Sequence, residues 1–452
     1  MNSEAHESKI WLISTILGNY LRIATRRRLF LVASGFVLGL SLILGAALTA
    51  TPAFAAGTVT DCTNFGPGPG TLSDALAGGG MVTFACDGTI VVPEILINLD
   101  TVIDATGQNI TLSGNNTNRI FTIPTATVEL LNLTLTQGNG VGGFVGNTGG
   151  AILSGGTLTL RDCTVTGNSS PTGGGSSAIS IAINITNPST MTIINSTVSG
   201  NVGSSHAIWN SGLLTIMNST VSSNSGGGII NLPNATLTLT NSTVSGNNTY
   251  SFGGGISNLD FATATLTNCT VSGNSAGQTG GGIHNQGTIM LTNCTVSDNS
   301  SGSIFGGGIR HQGVNGTLTL TNTIVADQVA GTDCQNAFGG IIISNGHNLD
   351  SDGTCLTTPT TGDKPNNSNA NLGPLQDNGG PTETQALLLG SDAIDMGDDL
   401  VCAGPDVNGV DQRGVSRPQG PACDIGAYEA QPSAAGHMVQ CPGDVNDDGV
   451  SD

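Results

Sequence analysis

TLTLTNSTVSGNNTYSFGGGISN at Thr236–Asn258 is followed by ATLTNCTVSGNSAGQTGGGIHN at Ala264–Asn285 and TIMLTNCTVSDNSSGSIFGGGIR at Thr288–Arg310. One phrase is stated three times, and a period of about 20 to 50 residues decides an architecture before any single motif is read. The valine of its Thr-Val pair recurs at Val165, Val198, Val221, Val244, Val271 and Val296, in steps of 33, 23, 23, 27 and 25 residues. A constant phrase with a variable step means fixed strands joined by elastic turns. Side chains alternate faces along a strand, so Leu237, Leu239, Ser242 and Val244 all point inward if the chain bends at Asn241. A second inward group is Ile229, Ile256, Ile283 and Ile309, each behind a glycine. Three short strands per turn, separated by bends, wind into an all-β, right-handed parallel β-helix.

Coils of such a solenoid stack about 4.8 Å apart, so equivalent side chains form ladders along the axis. Asn195, Asn218, Asn241, Asn268, Asn293 and Asn322 make one, and Asn210, Asn231, Asn258 and Asn285, continued by His311, a second. A third comprises Asn168, Asn201, Asn224, Asn247, Asn274 and Asn299. Asn suits corners because it tolerates left-handed backbone and hydrogen-bonds locally. Cys163, Cys269 and Cys294 take the inward slot of Ser196, Ser219 and Ser242, which makes them small core residues. A bridge between Cys269 and Cys294 in adjacent coils is the alternative.

Outward from the repeats, Thr58–Leu99 reads as an N-terminal cap with a short helix at Thr71–Leu76, because an array needs an atypical first unit. Arg26, Arg27 and Arg28 precede an apolar run, Leu29–Leu48, that ends in Ala53-Phe54-Ala55, the pattern of a cleaved export signal. An uncleaved membrane anchor is the other reading of that run. The division is a signal peptide at 1–55, cap and first coils at 56–130, β-helix repeats at 131–326, a C-terminal cap at 327–430, and a linker with a calcium loop at 431–452. Residues 56–452 carry 6 basic and 29 acidic residues, a net charge of −23. Such a surface repels nucleic acid and polyuronate unless cations intervene, and outside a cell calcium is the natural mediator. All ten cysteines follow Ala55, where disulfides persist after export. Cys62 with Cys86, Cys334 with Cys355, and Cys402 with Cys423 are expected local pairs, although spacing alone fixes no connectivity.

Gly373-Pro374-Leu375, Asn378-Gly379-Gly380-Pro381-Thr382, Asp411-Gln412-Arg413-Gly414, Arg417-Pro418 and Cys423-Asp424-Ile425-Gly426-Ala427-Tyr428-Glu429 form a motif set of their own. With Asn345 onward, this region resembles the bacterial choice-of-anchor Q domain found near the C-terminus of exported β-helix proteins. The resemblance implies a protein displayed at the cell surface or secreted, and it implies no reaction. Thr71–Leu76 is similar to the N-terminal domain named for a C-S-L-R-E-A-I signature, whose leading Cys and Arg are absent here. The repeats resemble those of right-handed β-helix proteins generally, which include polysaccharide lyases, glycoside hydrolases and non-catalytic adhesins. Fold does not choose among these.

A pectate lyase-like reaction needs calcium-holding carboxylates and a cationic base. Among Arg119, Arg161, Arg310, Lys364, Arg413 and Arg417, only Arg310, beside His311, lies at a regular glycine corner. Arg413 and Arg417 read as structural ion pairs. An inverting hydrolase uses two carboxyls about 6.5–9.5 Å apart, whereas Asp162, Asp260, Asp298 and Asp327 read as scattered. His206, His284 and His311 read as near-equivalent corner residues that stack. One ligand pattern has the right spacing: Asp444, Asn446, Asp448, Gly449, Val450 and Asp452 match the start of an EF-hand-type calcium loop. It resembles the opening of a dockerin, which implies a cohesin-type partner. The expectation is an exported, non-catalytic protein that binds a polysaccharide or cell-surface glycan, with a polysaccharide lyase or hydrolase as the alternative.

Overall fold

The computed structural model describes residues 57–140, 149–170, 179–181, 189–313, 316–366 and 368–431. The expected signal segment 1–55 and the expected calcium ligands Asp444, Asn446, Asp448, Val450 and Asp452 lie outside the described residues.

Among the described residues, three long parallel sheets of 12, 12 and 10 strands run along the solenoid, each ordered by chain sequence. One coil supplies one strand to each: Thr236–Thr240 to the first sheet, Thr243–Ser245 to the second and Ile256–Asn258 to the third. The next coil pairs in register, Leu237 with Ala264, Val244 with Val271 and Ile256 with Ile283. The expected inward residues are buried, Leu237 and Leu239 completely and Ser242 and Val244 nearly so. Each such aliphatic side chain contributes roughly 1.5–3 kcal/mol relative to exposure, repeated coil after coil.

The three asparagine ladders form, but they do different work. The first, at the bend between the first two sheets, is left-handed throughout, with φ of 46–50° from Asn195 to Asn322, and it begins earlier with Asn132 and Asp162. The other two are buried inside. In the second, each Nδ2 donates to the next Oδ1: Asn210 to Asn231 at 2.7 Å, Asn231 to Asn258 at 2.8 Å, and Asn258 to Asn285 at 2.7 Å. Asn285 then meets His311 Nδ1 at 2.9 Å. In the third, each Oδ1 accepts two hydrogens from the coil before, and each Nδ2 also satisfies a carbonyl one coil back. Gln328 ends this ladder by accepting from Asn299. A planar amide carries donor and acceptor together, so a column of them is self-complementary in a region that water cannot reach.

The ends are closed differently. At the start, Leu72–Leu76 forms the expected helix, capped by Thr71 Oγ1 accepting from Asp74 N. Cys62 and Cys86 are joined beneath it. Cys334–Cys355 and Cys402–Cys423 are bonded as expected, whereas Cys163, Cys269 and Cys294 are free and buried. After Ala326 the chain continues the coils through Cys334–Asn336, Ile341–Ser344 and Leu349–Asp350. Residues 368–430 then turn back and lie along the outer face of the second sheet. Thr243 Oγ1 donates to Glu383 O at 2.6 Å, Thr270 Oγ1 to Gln412 Oε1 at 2.7 Å, and Ala427 N donates to Thr295 Oγ1 at 3.1 Å. Thr243, Thr270 and Thr295 are buried in consequence, while their equivalents Thr197 and Thr220 stay half-exposed. A second apolar cluster, including Ile324, Leu349, Leu387, Ile425 and Tyr428, fills the seam.

Asn247→Ala removes both halves of one ladder rung: Asn224 N loses its acceptor, Val221 O loses the Nδ2 donor, Asn224 Nδ2 keeps only Val198 O, and Asn274 Oδ1 keeps only Asn247 N. The expected loss is about 3 kcal/mol, given roughly 1–3 kcal/mol for each unsatisfied buried group with partial relaxation. Urea unfolding of the variant against its parent measures it.

Candidate functional site

Four of the six basic residues after Ala55 are held by carboxylates. Arg119 Nη1 lies 2.7 Å from Glu94, Arg161 Nε 3.4 Å from Glu129, Arg413 Nη2 2.7 Å from Asp411, and Arg417 Nη1 3.1 Å from Glu429. The last two pairs are buried in the C-terminal region, where Arg413 also covers the Tyr428 ring at 3.6 Å. Arg310 stands outside these ion pairs. It projects from Ile309–His311 of the third sheet, half-buried, with Nε donating to Gln312 Oε1 at 3.0 Å.

The acids are less scattered than their sequence context implied. Asp298 and Asp327 follow Val296 and Val325 by two residues and stack in adjacent coils, Asp298 N donating to Asp327 O at 3.2 Å. Burial and then the Asp298 charge raise the Asp327 carboxyl above its ordinary value. Asp333, Asp350 and Asp352 bring carboxylate oxygens within 4.8 Å of one another. Burial, reinforced by the charges of Asp352 and Asp350 and opposed by the Ser351 hydroxyl, pushes Asp333 up to about 7. The oxygens of this trio are already engaged: Asp333 accepts from Ser351 N and Asp352 N, and Asp350 from Cys355 N and Leu356 N. They knit the last coil beside the Cys334–Cys355 bond.

The three histidines expected at equivalent corners are not equivalent. His311 occupies the buried second ladder. His284 sits one position earlier, pointing outward in a row with Ser257 and Arg310. His206 precedes its strand by two residues and reaches across a whole coil, with Nε2 2.8 Å from Gly253 O. Turn length explains why. From the third-ladder Asn to the Ile of the next strand the chain advances 7 residues at Asn201, 5 at Asn224, 9 at Asn247 and 9 at Asn274. The short turn leaves a notch between taller neighbours. His206 lies over its floor so closely that a Cβ on Gly227, where φ is 113°, would fall 2.7 Å from the imidazole.

The notch is a groove of about 220 Å³ lined by His206, Ile230, Phe252, Ser257, His284 and Gln286, among others. Phe252, on the long turn after Asn247, stacks on His284 with ring centres 4.8 Å apart and planes at 30°. Gln312 Nε2 meets His284 Nε2 at 3.2 Å. The Nδ1 atoms of both His206 and His284 are buried without a hydrogen-bond partner. A larger cavity of about 350 Å³ under the N-terminal helix has an apolar rim of Phe65, Leu76, Leu96 and Leu99, and its Glu94 is committed to Arg119. The chemistry therefore points to the groove on the third sheet. Sequence reasoning singled out His206, His284 and Arg310 but missed Phe252 and Gln312, although the uneven turn lengths were there to be counted.

Burial lowers both groove histidines to about 4; at His206 the Gly253 carbonyl opposes this, and at His284 the charges of Arg310, His206 and His311 add to it. Both are neutral at pH 7. The unfolded chain, with ordinary imidazoles near 6.5, takes protons first as pH falls. Their share of the stability is thus complete above about pH 6.5 and is lost as the pH falls towards 4. His284→Phe keeps the ring stack and removes one titration. Between pH 7 and pH 4 this variant should lose up to about 3 kcal/mol less stability than its parent, read from denaturant unfolding at each pH.

The family described as the right handed beta helix region matches residues 93–262 and 181–357, together more than half of the chain. No curated protein matches the sequence. The crystal structure of pectate lyase Pel9A superposes with a TM-score of 0.54 at 14% identity, covering 83% of this chain and 96% of that one. Jun a 1, the major allergen from cedar pollen, aligns over 65% of this chain and 80% of its own at 14% identity and a TM-score of 0.28. The Pel9A likeness extends to the fold alone; by its family match, the chain belongs to the right-handed β-helix family.

Proposed function

We propose that this protein is an exported β-helix, displayed at the cell surface or secreted, that binds a glycan without cleaving it. The observation that carries the reading is the groove over the third sheet, where an aromatic wall, hydroxyl groups and two neutral imidazoles line a concave surface. Such a mixture of ring faces and fixed polar groups suits a sugar. Three disulfides among the described residues support export, as does the resemblance of residues 345–429 to the choice-of-anchor Q domain. Calcium held by Asp444, Asn446, Asp448, Val450 and Asp452, and a cohesin-type partner for that loop, belong to the same reading.

A polysaccharide lyase or hydrolase of the pectate lyase-like type is the second reading. The fold shared with Pel9A and the position of Arg310, free of carboxylates and beside the groove, favour it. In it Arg310 would take the proton.

A panel of immobilised neutral and acidic polysaccharides, with and without calcium, separates the two. The expected outcome is retention on at least one glycan, with neither unsaturated nor reducing ends released and with no change in that result for Arg310→Ala. Product formation that disappears in Arg310→Ala would replace the binding reading with the lyase.

A further inference from the structure

The groove fixes the tautomer of each of its histidines. Gly253 O only accepts, so His206 carries its hydrogen on Nε2 and keeps a lone pair on Nδ1. Gln312 is oriented by Arg310, whose Nε–H must find the amide oxygen, and this turns the amide nitrogen towards His284. An amide nitrogen only donates. His284 Nε2 is therefore the acceptor, and its hydrogen sits on Nδ1. One buried lone pair and one buried N–H, both unpartnered, thus belong to two residues that line a single groove.

That pair discriminates between ligands. A carboxylate answers the His284 donor but meets the His206 lone pair with another lone pair, and an ammonium group has the opposite difficulty. Hydroxyl groups both donate and accept, so a ring bearing several of them answers both. We propose that the groove takes one neutral, hydroxyl-rich ring, a hexose unit of a glycan, whose hydroxyls donate to His206 Nδ1 and accept from His284 Nδ1–H while its face lies against Phe252. The volume of about 220 Å³ is below the ~300–1,000 Å³ of drug-sized sites, which suits a single ring rather than an oligosaccharide. Phe252, 36% exposed on the longer turn, forms one wall of the groove. Both imidazoles are neutral across pH 5–8, so the groove itself offers no cation, and Arg310 at its edge has its Nε committed to Gln312. This inference rests on the glycan-binding reading and narrows it to neutral sugars.

Saturation-transfer NMR on the full chain at pH 7 tests it with glucose, galactose and mannose against glucuronic and galacturonic acid. Long-range ¹H–¹⁵N spectra follow the imidazole nitrogens. The expected result is transfer to at least one neutral hexose, weaker binding of its uronic acid by about tenfold, and movement of the His206 and His284 Nδ1 signals. His284→Phe should weaken the hexose by about tenfold, the cost of one lost hydrogen bond. A uronic acid bound as tightly as the hexose, or a hexose bound with both Nδ1 signals unmoved, overturns the proposal. Retention of a polysaccharide by a protein that binds no free hexose overturns it too, and leaves the glycan reading standing. Failure with every polysaccharide and every hexose overturns both.

Discussion

In-register stacking of coils about 4.8 Å apart is the constraint on which everything else here depends. A coil does not satisfy its buried ladder amides alone, and in each ladder the amide partner is the same position one coil along. The asparagine columns follow from that. Asn247 accepts from Asn224 and donates to Asn274 with one side chain, so the column propagates only if the next coil offers another amide. Where it stops, a residue of the right polarity must stand in, and Gln328 and His311 do so at the two buried ladders. The left-handed ladder is governed by backbone geometry instead, which is why Asp162 can join it.

The same constraint decides where variation is allowed. Inward and ladder positions repeat, whereas outward positions see solvent or whatever the chain lays over them. The Thr-Val phrase shows this within one sequence: Thr220 is half-exposed and Thr243 fully buried, because residues 368–430 cover one and not the other. That lateral cover is held by hydrogen bonds to threonine, by Gln385 Nε2 donating to Asp298 and by apolar packing, and two of its carboxylates, Asp411 and Glu429, pair with its own Arg413 and Arg417. In a chain with so few cations, committing four of six to ion pairs leaves only Arg310 and Lys364 outside them.

This explains what the sequence made legible. Inward residues, all three ladders, the short helix near Thr71–Leu76 and the three local disulfides rest on periodicity or proximity and are where the sequence placed them, whereas the coils run on past 326 to Lys364–Pro365. Asp298 and Asp327 were equally legible, two residues after successive core valines, but the change from TVSDN to IVADQ hides the equivalence. The groove is different in kind. His206, Phe252, His284 and Gln312 share no slot in the repeat, and their meeting depends on how far each turn overhangs its neighbour. The lateral course of residues 368–430 was hidden for a related reason, since nothing periodic marks a segment that runs back along earlier coils.

Turn length is therefore the variable through which a solenoid of this kind acquires a site. Strand positions cannot change without breaking a column, but a turn can lengthen at little cost because loop closure scales only with the logarithm of its length. The steps of 23 and 27 residues on either side of Val244 differ by the four residues that carry Tyr250 and Phe252 outward. Beside them the five-residue advance at Asn224 has no room for a side chain on Gly227, and His206 crosses the gap to the carbonyl of Gly253. A short turn between longer ones is enough to make a concavity: Ile230, Ser257 and His284 stand in strand register, whereas His206 and Phe252 lie on the turns and are set by turn length. The regular strands thus supply the frame, and the uneven turns bring His206 and Phe252 to it.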